Sequence, residues 1–221
     1  MLTLVDTSEA PRPFPATAAV HLRAHLGSKD ARGRAAWTRF VRTQGVGDLF
    51  VTPHGALVVF SQFPLERIPE YHRKTFVFLA GPTPEEFRGA APPPVHDPHT
   101  QQLRYWRKRV LHLLACDPSF DTQFVVVVPE PAEAKWAACT FPGMDAYAAS
   151  MHQLTWEHIM QEQAHVVAMF CWFRWTLPGR VPGNCGPTTR FEVGFGMGKW
   201  PQRCVVVWVP DDGPLPSQSA C

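Results

Sequence analysis

The stretch Thr75-Phe76-Val77-Phe78-Leu79-Ala80, closed by Gly81-Pro82, decides the fold. After Thr75 it has no polar residue to turn toward water, and it stops at a Gly-Pro pair that breaks regular structure. A strand apolar on both faces belongs inside a sheet that is covered on both sides. Three similar runs follow: Gln123 to Val128, stopped by Pro129 and Pro131, then His165 to Phe173, then Arg203 to Val209. Helical spacing fills the intervals. Leu103, Trp106, Val110, Leu113 and Leu114 mark a helix within 101–116, a second is expected over about Ser150 to Gln163, and a short third over Pro187 to Met197. Strands alternating with helices predict an α/β fold with a doubly wound parallel sheet. Ligands in such sheets sit beyond the carboxyl ends of the strands, where the strand order reverses. The loops that matter are therefore 81–98, 129–149 and 174–187, with the start of the helix after the last of them.

Upstream of Thr75 the pattern differs. Residues 1–18, with Pro11, Pro13 and Pro15, read as an extended arm. Residues 19–44 are helical in pattern but interrupted by Gly27 and Gly33, and Asp48 to Phe63 alternates about His54-Gly55, which predicts a β-hairpin. Segment 19–74 is thus expected to be an N-terminal α+β extension, or a small α+β unit of its own, ahead of a main domain over 75–221.

The composition is that of a globular chain: 221 residues, 45% hydrophobic and 18% charged. The 21 basic residues are scattered among 19 acidic ones for a net charge of +2, so no nucleic-acid partner is implied. No apolar stretch approaches the ~18 residues that a membrane span needs, and no basic leader precedes an apolar segment, which predicts a cytoplasmic protein with no membrane partner. The six cysteines form no CxxC pair and are read as reduced thiols. His96 and His99 flank Asp97 without a third ligand at metal-binding spacing, so neither a metal nor another cofactor is expected. The glycines of Gly194-Phe-Gly-Met-Gly198 follow the expected helix start instead of opening it after a strand, so a dinucleotide fingerprint fails in context.

Among the acidic residues, Glu192 has the best setting for chemistry. It falls in the first turns of a helix that follows a Gly/Pro-rich loop, where the helix dipole favours an ionised carboxylate. Taken alone, that setting also suits an ordinary helix-start glutamate. The surroundings add to it. Phe78-Leu-Ala-Gly81 at the end of the first strand, Trp106, Val128-Pro129, Leu154-Thr-Trp-Glu157, and Gly186-Pro-Thr-Thr-Arg-Phe-Glu192-Val-Gly194 occur in an order that resembles the nucleoside 2-deoxyribosyltransferase-like family.

The resemblance covers nearly everything after residue 74 and implies a flavodoxin-like fold. It implies that Glu192 is the nucleophile that attacks C1′ of a (deoxy)nucleoside or nucleotide, with deoxyribosyl transfer to another base or to water. A carboxylate suits this step, because a covalent glycosyl ester divides one high barrier into two lower ones. It also implies substrate contacts from Glu157 to the base, from Asn184 to a sugar hydroxyl, and from Gly81, Phe78 and Trp175 at the ligand edge, in a homo-oligomer. The chain departs from the family at His165, where Ala-Asp-Val is usual. That histidine could be a core residue, a changed acid/base or a mark of lost activity. The rival expectation is accordingly a catalytically inactive nucleotide-binding or sensing module of the same fold.

Overall fold

The computed structural model describes residues 2–5, 31–81, 107, 110–132, 144–172, 198–199 and 201–209. Seven strands form one sheet: β1 (Thr3–Leu4), β2 (Leu49–Val51), β3 (Leu57–Phe60), β4 (Thr75–Ala80), β5 (Phe124–Val128), β6 (Val166–Trp172) and β7 (Cys204–Val209). Their order across the sheet is β1-β2-β3-β5-β4-β6-β7. The five from β3 to β7 are parallel, and β1 and β2 extend the β3 edge antiparallel. The four apolar runs of the sequence are thus contiguous parallel strands. Helix α1 spans Ala31–Thr43, helix α2 spans Ala146–Gln163, and residues 110–116 are helical.

The alternation of side chains along the strands splits the core into two layers. Phe76, Phe78 and Ala80 of β4, Val125 and Val127 of β5 and Val59 of β3 face the layer of α1 and α2, where they meet Trp37, Val41, Trp156, Ile159 and Met160. Val77, Leu79, Val126, Val128, Val58 and Phe60 face the other way, against Leu111 with Val110 and Leu114 at its margin. Helices therefore cover both faces among the described residues. From β4 the chain crosses to β5 on the Leu111 face, then returns past β4 to β6 on the α2 face. The strand order thus reverses between β4 and β6.

The N-terminal residues are built into this sheet. The expected hairpin forms, with Leu49 opposite Val59 and Val51 opposite Leu57, and Gly55 takes a φ of +91° in its turn. β3 then continues the parallel sheet beside β5. The start of the expected arm is itself a strand, since Thr3 and Leu4 pair with Val51 and Phe50. Residues 31–63 are also tied to α2 by hydrogen bonds. Trp37 Nε1 donates to Thr155 Oγ1 at 3.0 Å, Trp156 Nε1 donates to the Phe63 carbonyl at 2.6 Å, and His152 Nε2 lies 3.1 Å from the Gln44 carbonyl. Segment 31–74 and the strands after it consequently share one core.

Helix α2 begins four residues before the expected Ser150. Asp145, in extended conformation, accepts a hydrogen bond from the Ala148 N–H at 2.7 Å and starts the helix at Ala146. The expected helix over Pro187 to Met197 lies outside the described residues.

His165 stands at the foot of β6, at the amino edge of the sheet. It is exposed; its N–H donates to the Phe76 carbonyl at 2.9 Å, and its Nδ1 accepts from the Phe76 N–H at 3.1 Å. From Phe76 to Gly81 the chain rises roughly 16 Å, so His165 is far from the carboxyl edge where ligands bind. Its exposure corrects the reading as a core residue: His165 is a strand-end acceptor, a role that a carboxylate fills equally well. Replacing His165 by Ala is expected to lower stability by about 1 kcal/mol, with recovery in His165→Asp, as read by urea unfolding. An alanine variant as stable as the wild type would count against this role.

Candidate functional site at the carboxyl edge

At the carboxyl ends of β3, β5 and β4 the chain buries a group of polar side chains. Arg107 is 4% exposed and Glu130 6% exposed, so each requires compensation for lost hydration. Arg107 supplies it through three donors. Its Nε donates to the Leu79 carbonyl at 3.2 Å, its Nη2 to the Gly81 carbonyl at 2.8 Å, and its Nη1 to Glu130 Oε1. The planar guanidinium thus ties the end of β4 to the residue that follows Pro129 at the end of β5. A lysine, with a single charged nitrogen, could not span the same acceptors.

From the opposite face, α2 contributes Gln153 and, one turn further on, Glu157. Gln153 Nε2 donates to the Pro129 carbonyl at 3.3 Å and to Glu157 Oε1 at 2.6 Å, while its Oε1 accepts from the Ser61 hydroxyl at 2.5 Å. Ser61 directly follows β3, and its N–H donates to the Glu130 carbonyl at 3.0 Å. Three strand ends and two helical layers therefore converge on one hydrogen-bond network.

The turn that carries Ser61 is constrained. The next residue, Gln62, is buried with a φ of +67°, an uncommon conformation for a residue other than glycine. Above the turn, the chain leaving α1 passes so closely that a Cβ on Gly47 would lie 2.1 Å from the Ser61 carbonyl oxygen, and one on Gly45 1.7 Å from that of Gln62. Glycine at these two positions permits the approach.

Glu157 is a group of this network whose acidity is changed by the fold. Burial pushes its carboxyl up to about 7, against the opposing effects of the Gln153 hydrogen bond and the Arg107 charge. A carboxyl that titrates near neutrality can hold a proton at the start of a reaction and take one back later. His152, on the same helix, shifts the other way. Fully buried edge-on against Trp37 and Phe40, it is pushed down to about 4 by burial, with its bond to the Gln44 carbonyl opposing.

Of the site residues expected from sequence, Glu157 and Gly81 belong to this network, Gly81 through its carbonyl. Phe78 does not. It is fully buried in the layer beneath α1 and α2, a packing position and not a substrate contact, because alternation turns it into the core. Glu192, Asn184 and Trp175 lie outside the described residues. Four residues here were not foreseen. Glu130 had a signal, a single charge between Pro129 and Pro131 in a loop at the ligand edge. Gln153 stands four residues before Glu157, the spacing of neighbours on a helix face. Arg107 is one of several basic residues in 104–109, and Ser61 carries no signal at all.

Among the described residues, no group of three or more His, Cys, Asp or Glu side chains is arranged to hold a metal ion. No helix among them is long and apolar enough to cross a membrane. Compared with models of protein families and with curated proteins, the chain matches none.

Proposed function

We propose that this chain cleaves the N-glycosidic bond of a (deoxy)nucleoside or nucleotide, with Glu192 as nucleophile and Glu157 as the acid beside the leaving base. One observation carries the reading: a carboxyl raised to about 7 at the carboxyl edge of a parallel α/β sheet, at the position where the sequence resemblance expects an acid that contacts the base. The central order β5-β4-β6-β7 supports it further, since relabelled in chain order it reads 2-1-3-4, the flavodoxin-like arrangement without its last strand.

In the proposed reaction a Glu192 oxygen attacks C1′ as the bond from C1′ to the base nitrogen breaks. The bonding pair leaves with the base, and the Glu157 proton neutralises it. The product is a glycosyl ester of Glu192. An incoming base, or water, then attacks C1′ and gives its proton to the Glu157 carboxylate, which frees Glu192. Transferase and hydrolase differ only in the second nucleophile. The rival reading is a catalytically inactive nucleotide-binding or sensing module of the same fold.

The experiment is incubation of the protein with deoxynucleosides, with and without a free acceptor base, following base release and exchange by chromatography. Glu192→Ala is expected to show neither, and Glu157→Gln to lose about a hundredfold in base release. Release that persists in Glu192→Ala, or nucleoside binding with no turnover in the wild type, would overturn the reading.

A further inference from the structure

The N-terminal segment contributes a side chain to the site, and the geometry assigns that side chain a task. Gln153 is an amide with two ends, and which end meets Glu157 depends on what holds the other. Its NH2 group is drawn to two acceptors, the Pro129 carbonyl and Glu157 Oε1. Its oxygen is met by the hydroxyl of Ser61 at 2.5 Å. With the amide in this orientation, Glu157 Oε1 is an acceptor, so the proton of the neutral acid resides on the other oxygen, Oε2. Ser61 is itself fixed, by its N–H bond to the Glu130 carbonyl, by the positive φ of Gln62, and by the close passage of Gly47.

We propose that Ser61, supplied by the N-terminal hairpin, is a positioning residue that orients the Gln153 amide and thereby places the Glu157 proton on Oε2. Segment 31–63 then acts as part of the site: β3 delivers the hydroxyl, and α1 with the glycine-bearing chain after it holds the turn in place. Without the hydroxyl, the amide loses the partner of its oxygen, and the turned orientation that presents that oxygen to Glu157 gains population against the pull of the Pro129 carbonyl on the NH2 group. An oxygen there accepts from the protonated acid and repels the carboxylate, so the neutral form gains. The use of that proton on a leaving base rests on the N-glycosidase reading, whereas the hydrogen-bond chain is testable without substrate.

The test is the titration of Glu157 in the full-length protein, without nucleoside, followed by carbon NMR of labelled glutamate side chains and assigned by loss of the signal in Glu157→Gln. Ser61→Ala is expected to raise the midpoint by about one unit, the size of one lost hydrogen bond to a charged group. Gln153→Met, which removes the donor but keeps the length, is expected to raise it similarly. In the double variant Ser61→Ala is expected to add nothing, because its effect runs through the amide. Arg107, the charged group that acts on Glu157 from the opposite layer, and its partner Glu130 are intact in all three variants. A wild-type midpoint in Ser61→Ala, or a full additional shift on top of Gln153→Met, would overturn the proposal. Absence of base release would sink the enzymatic reading and leave this titration result standing.

Discussion

Replacing Arg107 by methionine is expected to destabilise the protein by about 3–5 kcal/mol, the cost of leaving one member of a buried ion pair without its partner. The side chain is 4% exposed and satisfies Glu130 together with the Leu79 and Gly81 carbonyls, so its loss strands three acceptors in a place that water reaches poorly. Much of the cost falls on the Glu130 carboxylate, which loses its bond to Arg107 in a buried place. The double variant Arg107→Met/Glu130→Gln is therefore expected to recover more than half of the loss, because a neutral amide has a far smaller desolvation cost. Arg107→Lys is expected to fall between wild type and Arg107→Met, since one ammonium keeps the charge but cannot reach all three acceptors. Denaturant unfolding of these proteins and of the single variant Glu130→Gln at one pH measures the series. Additive single-variant losses would show that the pair does not act as a unit.

A second expected result concerns pH, where buried His152 and half-buried Glu157 of α2 work against each other. His152 titrates at about 4 in the folded chain and near 6.5 when unfolded. Between those values the unfolded chain holds a proton that the folded one does not, so stability rises with pH there and is lost as pH falls from 6.5 to 4. Glu157 titrates at about 7 folded and near 4.5 unfolded. Between those values it is the folded chain that holds the extra proton, so stability is fully present below 4.5 and is lost as pH rises to 7. At 1.36 kcal/mol per unit, each shift amounts to about 3 kcal/mol, and nearer 2 for Glu157 because its side chain retains some contact with solvent.

The two slopes nearly cancel between about pH 4.5 and 6.5. The wild type is expected to show a flat profile over that interval. Glu157→Gln removes one arm, so its stability should climb with pH up to 6.5 and exceed that of the wild type by about 2 kcal/mol at pH 8. Such a gain in stability, coupled to the expected loss of base release, is the signature of a group kept for chemistry at a cost to the fold. Urea unfolding of both proteins at intervals from pH 4 to 8 measures it. Parallel profiles would mean that Glu157 is not perturbed in the folded state.

The four apolar strand runs, the hairpin about Gly55 and the helix before β6 were legible in the sequence, because each depends on the spacing of neighbouring residues. The start of α2 was not, since Asp145 caps it from a stretch with little apolar periodicity of its own. Glu157 was a candidate only through the family resemblance of the residues around it. Its altered acidity was not legible, for that comes from burial in the folded chain, against which the Gln153 hydrogen bond and the Arg107 charge act.

His165 shows the converse. In the sequence its departure from Ala-Asp-Val stood out, and only the pairing of β6 with β4 revealed that it serves the Phe76 N–H at the far edge of the sheet. The sequence by itself thus determined the class of the fold, through apolar runs and helical spacing that are properties of short segments. The tertiary structure decided where the N-terminal segment sits and what it touches. Ser61 meets Gln153 across 92 positions of the chain, and His152 meets the Gln44 carbonyl across 108. No local pattern encodes contacts between residues so far apart, because each side chain finds its partner only when the sheet brings the strand ends together.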